Sequence, residues 1–150
     1  MNVSSKIRGG IQSREHLKRR HVLTGAVCEV CSCGEETAAH IMFHCAFAST
    51  CWEALQIELP ANMTPMLLPQ LQPPALLSHK HFDAFLLLCC WQLWKCRNNV
   101  IFCQQNDSLG TVLRAAKEEA RTWSYRLPQR DLAIGNVLSL NQQCNRMKML

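Results

Sequence analysis

Residues 28–52, CEVCSCGEETAAHIMFHCAFASTCW, place five cysteines and two histidines within twenty-five residues. The stretch opens with a C-x-x-C pair, Cys28 and Cys31, and continues to His40 and Cys45. Structural zinc sites take four cysteine or histidine ligands in a tetrahedron, commonly two from a tight C-x-x-C turn and two from a later helix or loop. The pattern C-x2-C-x8-H-x4-C therefore predicts a segment that folds around Zn²⁺.

The residue types alone leave the ligand set open, because Cys33, His44 and Cys51 lie close in sequence. His40 and His44 are four residues apart and share one face of an α-helix. Cys45 follows His40 by five residues and points well away from it on such a helix. A ligand set with Cys45 requires a helix end near His40. A redox-active C-x-x-C pair is disfavoured, since no thioredoxin-like strand and helix surround it.

The composition indicates a folded intracellular protein. The chain of 150 residues is 48% hydrophobic and only 18% charged, which argues against wholesale disorder. The N-terminal residues show no secretory signal pattern, and the apolar run 84–94 is too short to span a bilayer. We therefore expect a nuclear or cytoplasmic protein without a membrane partner. In that reducing environment, its ten cysteines are expected to be free or metal-bound.

The predicted fold class is mainly α, with a small zinc-stabilised turn-helix module followed by a proline-rich linker and two helices. The segment 35–59 lacks glycine and proline and predicts one helix that begins near Thr37. Five of the six prolines fall in the linker. The predicted segments are a basic lead-in (1–27), the zinc-binding module (28–58), the linker (59–78), a helical segment (79–128, ended by Pro128) and a weakly structured tail (129–150).

The first helix of the helical segment is apolar on both sides between Phe82 and Trp94, so both sides are expected to be covered. The cover could be another domain or a partner protein. Cys89, Cys96 and Cys103 recur every seven residues and are expected to be small core residues along one stripe.

The sequence offers no acidic constellation for two-metal catalysis, so the protein is expected not to be an enzyme. Glu35–Glu36 and Glu118–Glu119 are adjacent pairs, and neighbouring side chains do not face each other. We expect both pairs at a solvated surface or in a first helical turn. There is also no glycine-rich phosphate loop.

The segment 6–21, KIRGGIQSREHLKRRH, carries six lysines and arginines against one glutamate. Such a run can attract phosphate backbones, although a solvated surface is an equally good reading. The candidate nucleic-acid contacts are Arg14, Lys18, Arg19 and Arg20. Phe47 or Trp52 could add base stacking, but we expect Trp52 in the core and Arg97–Asn98 on a helix surface.

Three blocks, residues 11–22, 28–52 and 90–102, resemble the zinc-binding region of plant reverse transcriptases of the non-LTR (LINE) retroelement type. In that family the region lies between the polymerase and a C-terminal RNase H domain. The matching positions are Ile11, Ser13, Arg14, Leu17, Arg20, Cys28, Cys31, Glu35, Glu36, Thr37, His40, Ile41, Met42, Cys45, Trp52, Trp94, Arg97, Asn98 and Phe102.

The resemblance implies Cys28, Cys31, His40 and Cys45 as the zinc ligands, with Cys33, His44 and Cys51 as bystanders. It also implies a retrotransposon-derived protein that helps to bind RNA or DNA. The tryptophan-rich segment that usually precedes the module is missing, Cys33 is an unusual insertion, and no RNase H opening follows Leu127. A structural or protein-interaction module, or a degenerate retroelement fragment without a selected activity, are the alternatives.

Overall fold

A computed structural model describes residues 11–75 and 77–125 of the chain. Four α-helices account for about half of this part: α1 (Arg14–Arg19), α2 (Ala46–Ala54), α3 (His79–Cys103) and α4 (Leu109–Ser124). A π-helical turn (His40–His44) precedes α2, and a 3₁₀ turn (Leu68–Gln70) lies in the linker. The described residues form no strand beyond one isolated bridge between Val27 and Glu35. The mainly α fold class is confirmed.

The prediction of one continuous helix over 35–59 is wrong. The chain is helical from Ala38, forms the π-helical turn and breaks at Cys45, whose backbone is extended with φ −61° and ψ 137°. Cys45 then acts as the N-cap residue of α2. A single α-helix would turn His40 and Cys45 about 140° apart, so the break is what allows both side chains to point to one place.

Helix α2 also ends earlier than expected, at Ala54. Gln56 takes a left-handed conformation with φ 57°. Its N–H donates to the Glu53 carbonyl at 2.9 Å, and the Ile57 N–H donates to the Trp52 carbonyl at 3.0 Å. These two bonds form a Schellman motif, which here uses glutamine where glycine is usual. No sequence signal marked this helix end.

The linker packs onto the core. Met63 and Leu68 are fully buried, and Leu77 is nearly so. They join one apolar cluster that also contains residues of the segment 28–58, which we call the metal-binding segment after its predicted role, and of α3 and α4. The proline-rich stretch is thus held in place by its apolar side chains, although its proline content prevents a long helix. The segment boundaries proposed from the sequence stay predictions.

Helix α3 is covered largely by the chain itself. Its apolar side chains pack against the π-helical turn, the 3₁₀ turn and α4. Within 82–94, Trp91 is the residue that stays exposed, at 47%, and its ring stacks on Trp94 with centroids 4.8 Å apart. Cys89 and Cys96 are buried as predicted, whereas Cys103 is exposed because α3 extends past the core at its C-terminal end.

Helix α4 begins with a side-chain cap at Ser108. Its hydroxyl accepts a hydrogen bond from the Thr111 N–H at 3.2 Å at the start of α4. The expectations for residues 1–10, for Pro128 and for the tail lie outside the described residues. Among the helices that the structure describes, none is both long and apolar enough to cross a membrane.

Candidate metal centre

The C-x-x-C pair sits in a tight turn closed by backbone hydrogen bonds. The Ser32 N–H donates to the Cys28 carbonyl at 2.9 Å, and the Cys28 N–H donates to the Gly34 carbonyl at 3.2 Å. The turn requires a backbone φ of +69° at Gly34, a conformation that residues with a side chain rarely adopt. The turn is therefore stabilised by hydrogen bonds and a glycine within residues 28–34, and it presents both thiols on one side.

The second pair of candidate ligands comes from the π-helical turn. The Thr37 hydroxyl caps its start by accepting the His40 N–H at 3.0 Å, which confirms the helix start near Thr37. At the other end, the Cys45 N–H donates to the His40 carbonyl at 2.7 Å. This bond joins residues five apart and is the one that defines a π-helix. The H-x4-C spacing therefore brings His40 and Cys45 onto one face.

The four ligand atoms of Cys28, Cys31, His40 and Cys45 all lie within 4.8 Å of one another. The Cys31 Sγ is 3.3 Å from the His40 Nε2. Tetrahedral zinc bonds of about 2.3 Å place neighbouring sulfur ligands about 3.8 Å apart, so this cluster has the size of a zinc cage. Three thiols and one imidazole form a donor set that zinc prefers in structural sites.

The cysteines of this cluster are electrostatically coupled. A hydrogen bond with Cys45, and then burial, raise the pKa of Cys28 to about 12. The same hydrogen bond lowers the pKa of Cys45. Metal binding requires thiolates, so a bound dication would displace the protons of these thiols.

The three other candidates lie away from the four-residue cluster. Cys33 is exposed, and its carbonyl accepts the Cys31 thiol at 3.2 Å. His44 Nε2 donates to the Met63 carbonyl in the linker at 2.8 Å. Cys51 is buried in the core, and desolvation raises its pKa to about 12. The structure therefore brings together the ligand set that the resemblance implied.

Trp52 packs beneath the π-helical turn, as expected of a core residue. It is 2% exposed, and its ring centroid lies 6.2 Å from that of Phe43. Its indole N–H donates to the Met42 carbonyl at 2.7 Å. The break at Cys45 interrupts the helical hydrogen bonds at this turn, so the indole satisfies a carbonyl there. Phe47 is half-buried.

The predictions that Glu36 lies at the surface or in a first helical turn, and that Arg97 lies on a helix surface, are wrong. Glu36 is 0% and Arg97 is 7% exposed. The guanidinium donates to the Glu36 Oε1 from Nη2 at 2.5 Å and from Nε at 3.2 Å. The two residues are 61 positions apart, and no local spacing signals their contact. Both positions do appear in the motif blocks of the family resemblance.

The candidate nucleic-acid contacts lie on α1, beside the C-x-x-C turn of residues 28–34, which we call the metal-binding turn. Arg14 is half-buried and forms an ion pair with Glu29 of that turn. Arg19 is exposed and pairs with Glu15 at 2.7 Å. Lys18 and Arg20, the other two predicted contacts, are both exposed. Lys18, Arg19 and Arg20 therefore form a continuous basic run at the C-terminal end of α1, which we call the basic end.

A family model described as zinc-binding in reverse transcriptase matches residues 5–52. No curated protein and no solved structure matches the chain. The matched range contains the metal-binding turn, the π-helical turn and most of α2. The resemblance predicted from the sequence motifs is thereby confirmed for residues 5–52, which are similar to the zinc-binding region of reverse transcriptases.

Proposed function

We propose that this chain is a non-catalytic, retroelement-derived protein that binds Zn²⁺ and assists the binding of RNA or DNA. The observation that carries the proposal is the convergence of Cys28, Cys31, His40 and Cys45 within a segment that matches the reverse-transcriptase zinc-binding family. An origin in a plant LINE element rests on the resemblance of the motifs.

The proposed role of zinc is structural. Four protein ligands complete a tetrahedral coordination sphere, whereas catalytic zinc sites keep one position for water or substrate. Cys28 and Cys45 are buried, while Cys31 and His40 are half-buried. When bound, the ion would join the C-x-x-C turn to the start of α2 and so stabilise a short segment with little apolar surface of its own.

Cobalt substitution tests the metal site directly. We expect the full chain to bind one Co²⁺ with a thiolate-to-cobalt charge-transfer band, because three of the four ligands are thiols. The C28S/C31S double variant should lose the band, whereas Cys33→Ser should keep it, since Cys33 lies outside the cluster. A band that survives C28S/C31S would exclude this site.

The proposed nucleic-acid surface is the basic end. Arg19 and Arg20 are exposed, and α1 is fixed next to the metal-binding turn through the Arg14–Glu29 pair. Cations in a last helical turn also interact favourably with the helix dipole, so their position alone does not require a ligand. What supports the proposal is the run of adjacent positive charges on a short helix beside the proposed zinc cage.

Salt dependence distinguishes nucleic-acid binding from weak association. We expect the zinc-loaded chain to bind a 12-nucleotide single strand with an affinity that falls steeply with salt. The K18A/R19A/R20A variant should weaken binding. It should also make the slope of log K against log salt shallower by about 2, because each of the three lost phosphate contacts contributes about 0.7 to that slope.

The K80A/R114A/R121A variant serves as the matched control, because it removes the same number of positive charges from α3 and α4. An equal loss of affinity in the two triple variants would show that binding depends only on net charge, and would contradict the basic end as a defined binding surface. Absence of binding by the unmodified chain would reject the nucleic-acid role.

A second candidate function, a protein-interaction module, is favoured by the exposed Trp91 stacked on Trp94. Aromatic side chains of this kind are enriched in protein interfaces. Sedimentation of the full chain and of Trp91→Ala separates the candidates. An interaction module should associate through Trp91 independently of salt, whereas the nucleic-acid module should stay monomeric in both forms.

The proposed absence of catalysis is consistent with the positions of the acidic residues. Glu36 is engaged by Arg97, Glu119 pairs with Lys95 at 2.7 Å, and Asp107 accepts a hydrogen bond from the Asn99 side chain at 2.7 Å. These carboxylates serve packing and helix contacts at separate places.

A further inference from the structure

A buried ion pair connects the segment that matches the zinc-binding family to a helix outside it. Glu36 lies in the matched range 5–52, between the metal-binding turn and the π-helical turn. Arg97 belongs to α3. Two guanidinium nitrogens contact Glu36 Oε1, at 2.5 and 3.2 Å, and the third nitrogen donates to the Asn98 side chain at 3.0 Å.

Glu36 also holds the first turn of α1. Its Oε1 accepts the backbone N–H of Arg14 at 3.0 Å, and its backbone carbonyl accepts the N–H of Glu15 at 3.1 Å. The first N–H groups of a helix have no partner within the helix and need an outside acceptor. One residue therefore supplies acceptors to α1 while its own charge is neutralised by α3.

The Glu36 carboxylate depends on Arg97 for its charge balance. Its side chain is 0% exposed, and a buried carboxylate without a cation is strongly disfavoured. Its other oxygen, Oε2, is buried without a hydrogen-bond partner in the described part of the chain. Without Arg97, the carboxylate would take up a proton or move towards water, and in moving it would leave the Arg14 N–H.

We propose that Arg97 is a positioning residue for the nucleic-acid surface: by neutralising Glu36, it fixes α1 and the basic end against the metal-binding turn. Helix α3 is then part of the working zinc-binding unit, which extends beyond the matched residues. The inference builds on the proposed function for the role of the basic end, but the docking of α1 can be measured without nucleic acid.

The test follows amide hydrogen exchange in the full chain, with and without added Zn²⁺. In Arg97→Met, peptides within 11–20 should exchange at least about ten-fold faster, because the carboxylate that accepts the Arg14 N–H is released and the first turn of α1 loosens. Peptides within α2 (Ala46–Ala54) should keep their protection. A uniform increase across α1, α2 and α4 would mean general destabilisation and would overturn the positioning role.

Two further variants make the result specific. The E36Q/R97M double variant keeps a side-chain carbonyl that can accept the Arg14 N–H and leaves no buried charge, so protection of α1 should return. Arg121→Met is the matched control, since it removes an arginine–glutamate pair at the surface, where the side chains of Arg121 and Glu118 are more than half exposed. It should exchange like the unmodified chain. Unchanged exchange in Arg97→Met would reject the proposal.

Affinity for the 12-nucleotide strand separates the proposal from the function it builds on. At a temperature where the zinc-loaded variants remain folded, Arg97→Met should bind several-fold more weakly, and E36Q/R97M should recover most of the affinity. If α1 loses protection while affinity is unchanged, the docking role of Arg97 stands and the basic end is excluded as the nucleic-acid surface.

Discussion

Removal of metal is expected to unfold the segment from the C-x-x-C turn to α2. Structural zinc in such small modules contributes an apparent free energy of about 10 kcal/mol at neutral pH. That is comparable to the whole stability of an ordinary domain. The apo segment would depend on the apolar contacts of its buried side chains, among them Met42 and Trp52, with nothing to hold the three thiols and the imidazole together. We therefore expect the metal-free chain to lose helicity and to expose α3.

The measurement compares the full chain before and after exhaustive chelation, by far-ultraviolet circular dichroism and by the emission of its tryptophans. Chelation should lower the helical signal and shift the emission to longer wavelength, because Trp52 becomes solvated. Added Zn²⁺ should reverse both changes. Cys45→Ser should resemble the chelated protein at any zinc concentration, and Cys33→Ser should resemble the native one.

Identical compactness and helicity after chelation would show that the apolar core alone holds these residues. In that case the four side chains would be an incidental cluster, and a structural role of zinc in this chain would be excluded despite the family match.

Replacement of Trp52 by alanine is expected to reduce the free energy of unfolding by about 3–5 kcal/mol. The side chain is 2% exposed and lies in the cluster that joins the metal-binding segment to α3. Its loss would remove apolar contact area, leave a cavity and strip the Met42 carbonyl of its 2.7 Å hydrogen bond. Chemical denaturation of the zinc-loaded chain, followed by circular dichroism, gives the value.

Trp52→Phe separates the hydrogen bond from the packing. Phenylalanine fills part of the space and cannot donate, so we expect a smaller loss of about 1–3 kcal/mol from the unpaired Met42 carbonyl together with lost volume. Phe102→Ala is the control, since Phe102 is 76% exposed and should change stability by no more than about 0.5 kcal/mol. A Trp52→Ala cost as small as that of the control would place the stabilising contacts elsewhere.

The sequence was sufficient to predict the mainly α fold class and to name the four side chains that the structure brings together. Cys28 and Cys31 lie in a local turn, and Thr37 caps a nearby helix start, so short-range rules apply to them. Turn and cap geometry are determined by neighbouring residues and glycine positions, which are readable from a single sequence. The choice of Cys45 over His44 required the family resemblance.

The helix break at Cys45 could be inferred only as a condition of a ligand set with Cys45, and the burial of Glu36 was beyond the reach of sequence patterns. Residues 35–59 have high helix propensity throughout, and propensity is routinely overridden by tertiary contacts. Here such contacts include the Trp52 indole bond to Met42 and the His44 bond to Met63. The charge of Glu36 suggested a surface position. Its burial depends on Arg97, which comes from a helix distant in sequence, and no local pattern signals that contact.

The π-helical turn imposes a length requirement on the segment between His40 and Cys45. The hydrogen bond that closes the turn and the two proposed ligands use the same five-residue step. Side chains between them, such as Ile41 and Phe43, can be exchanged for others of similar size and apolarity. A single inserted or deleted residue would rotate one ligand by about 100° around the helix axis and break the coordination set. This interval should therefore tolerate substitution far better than any change in the number of residues.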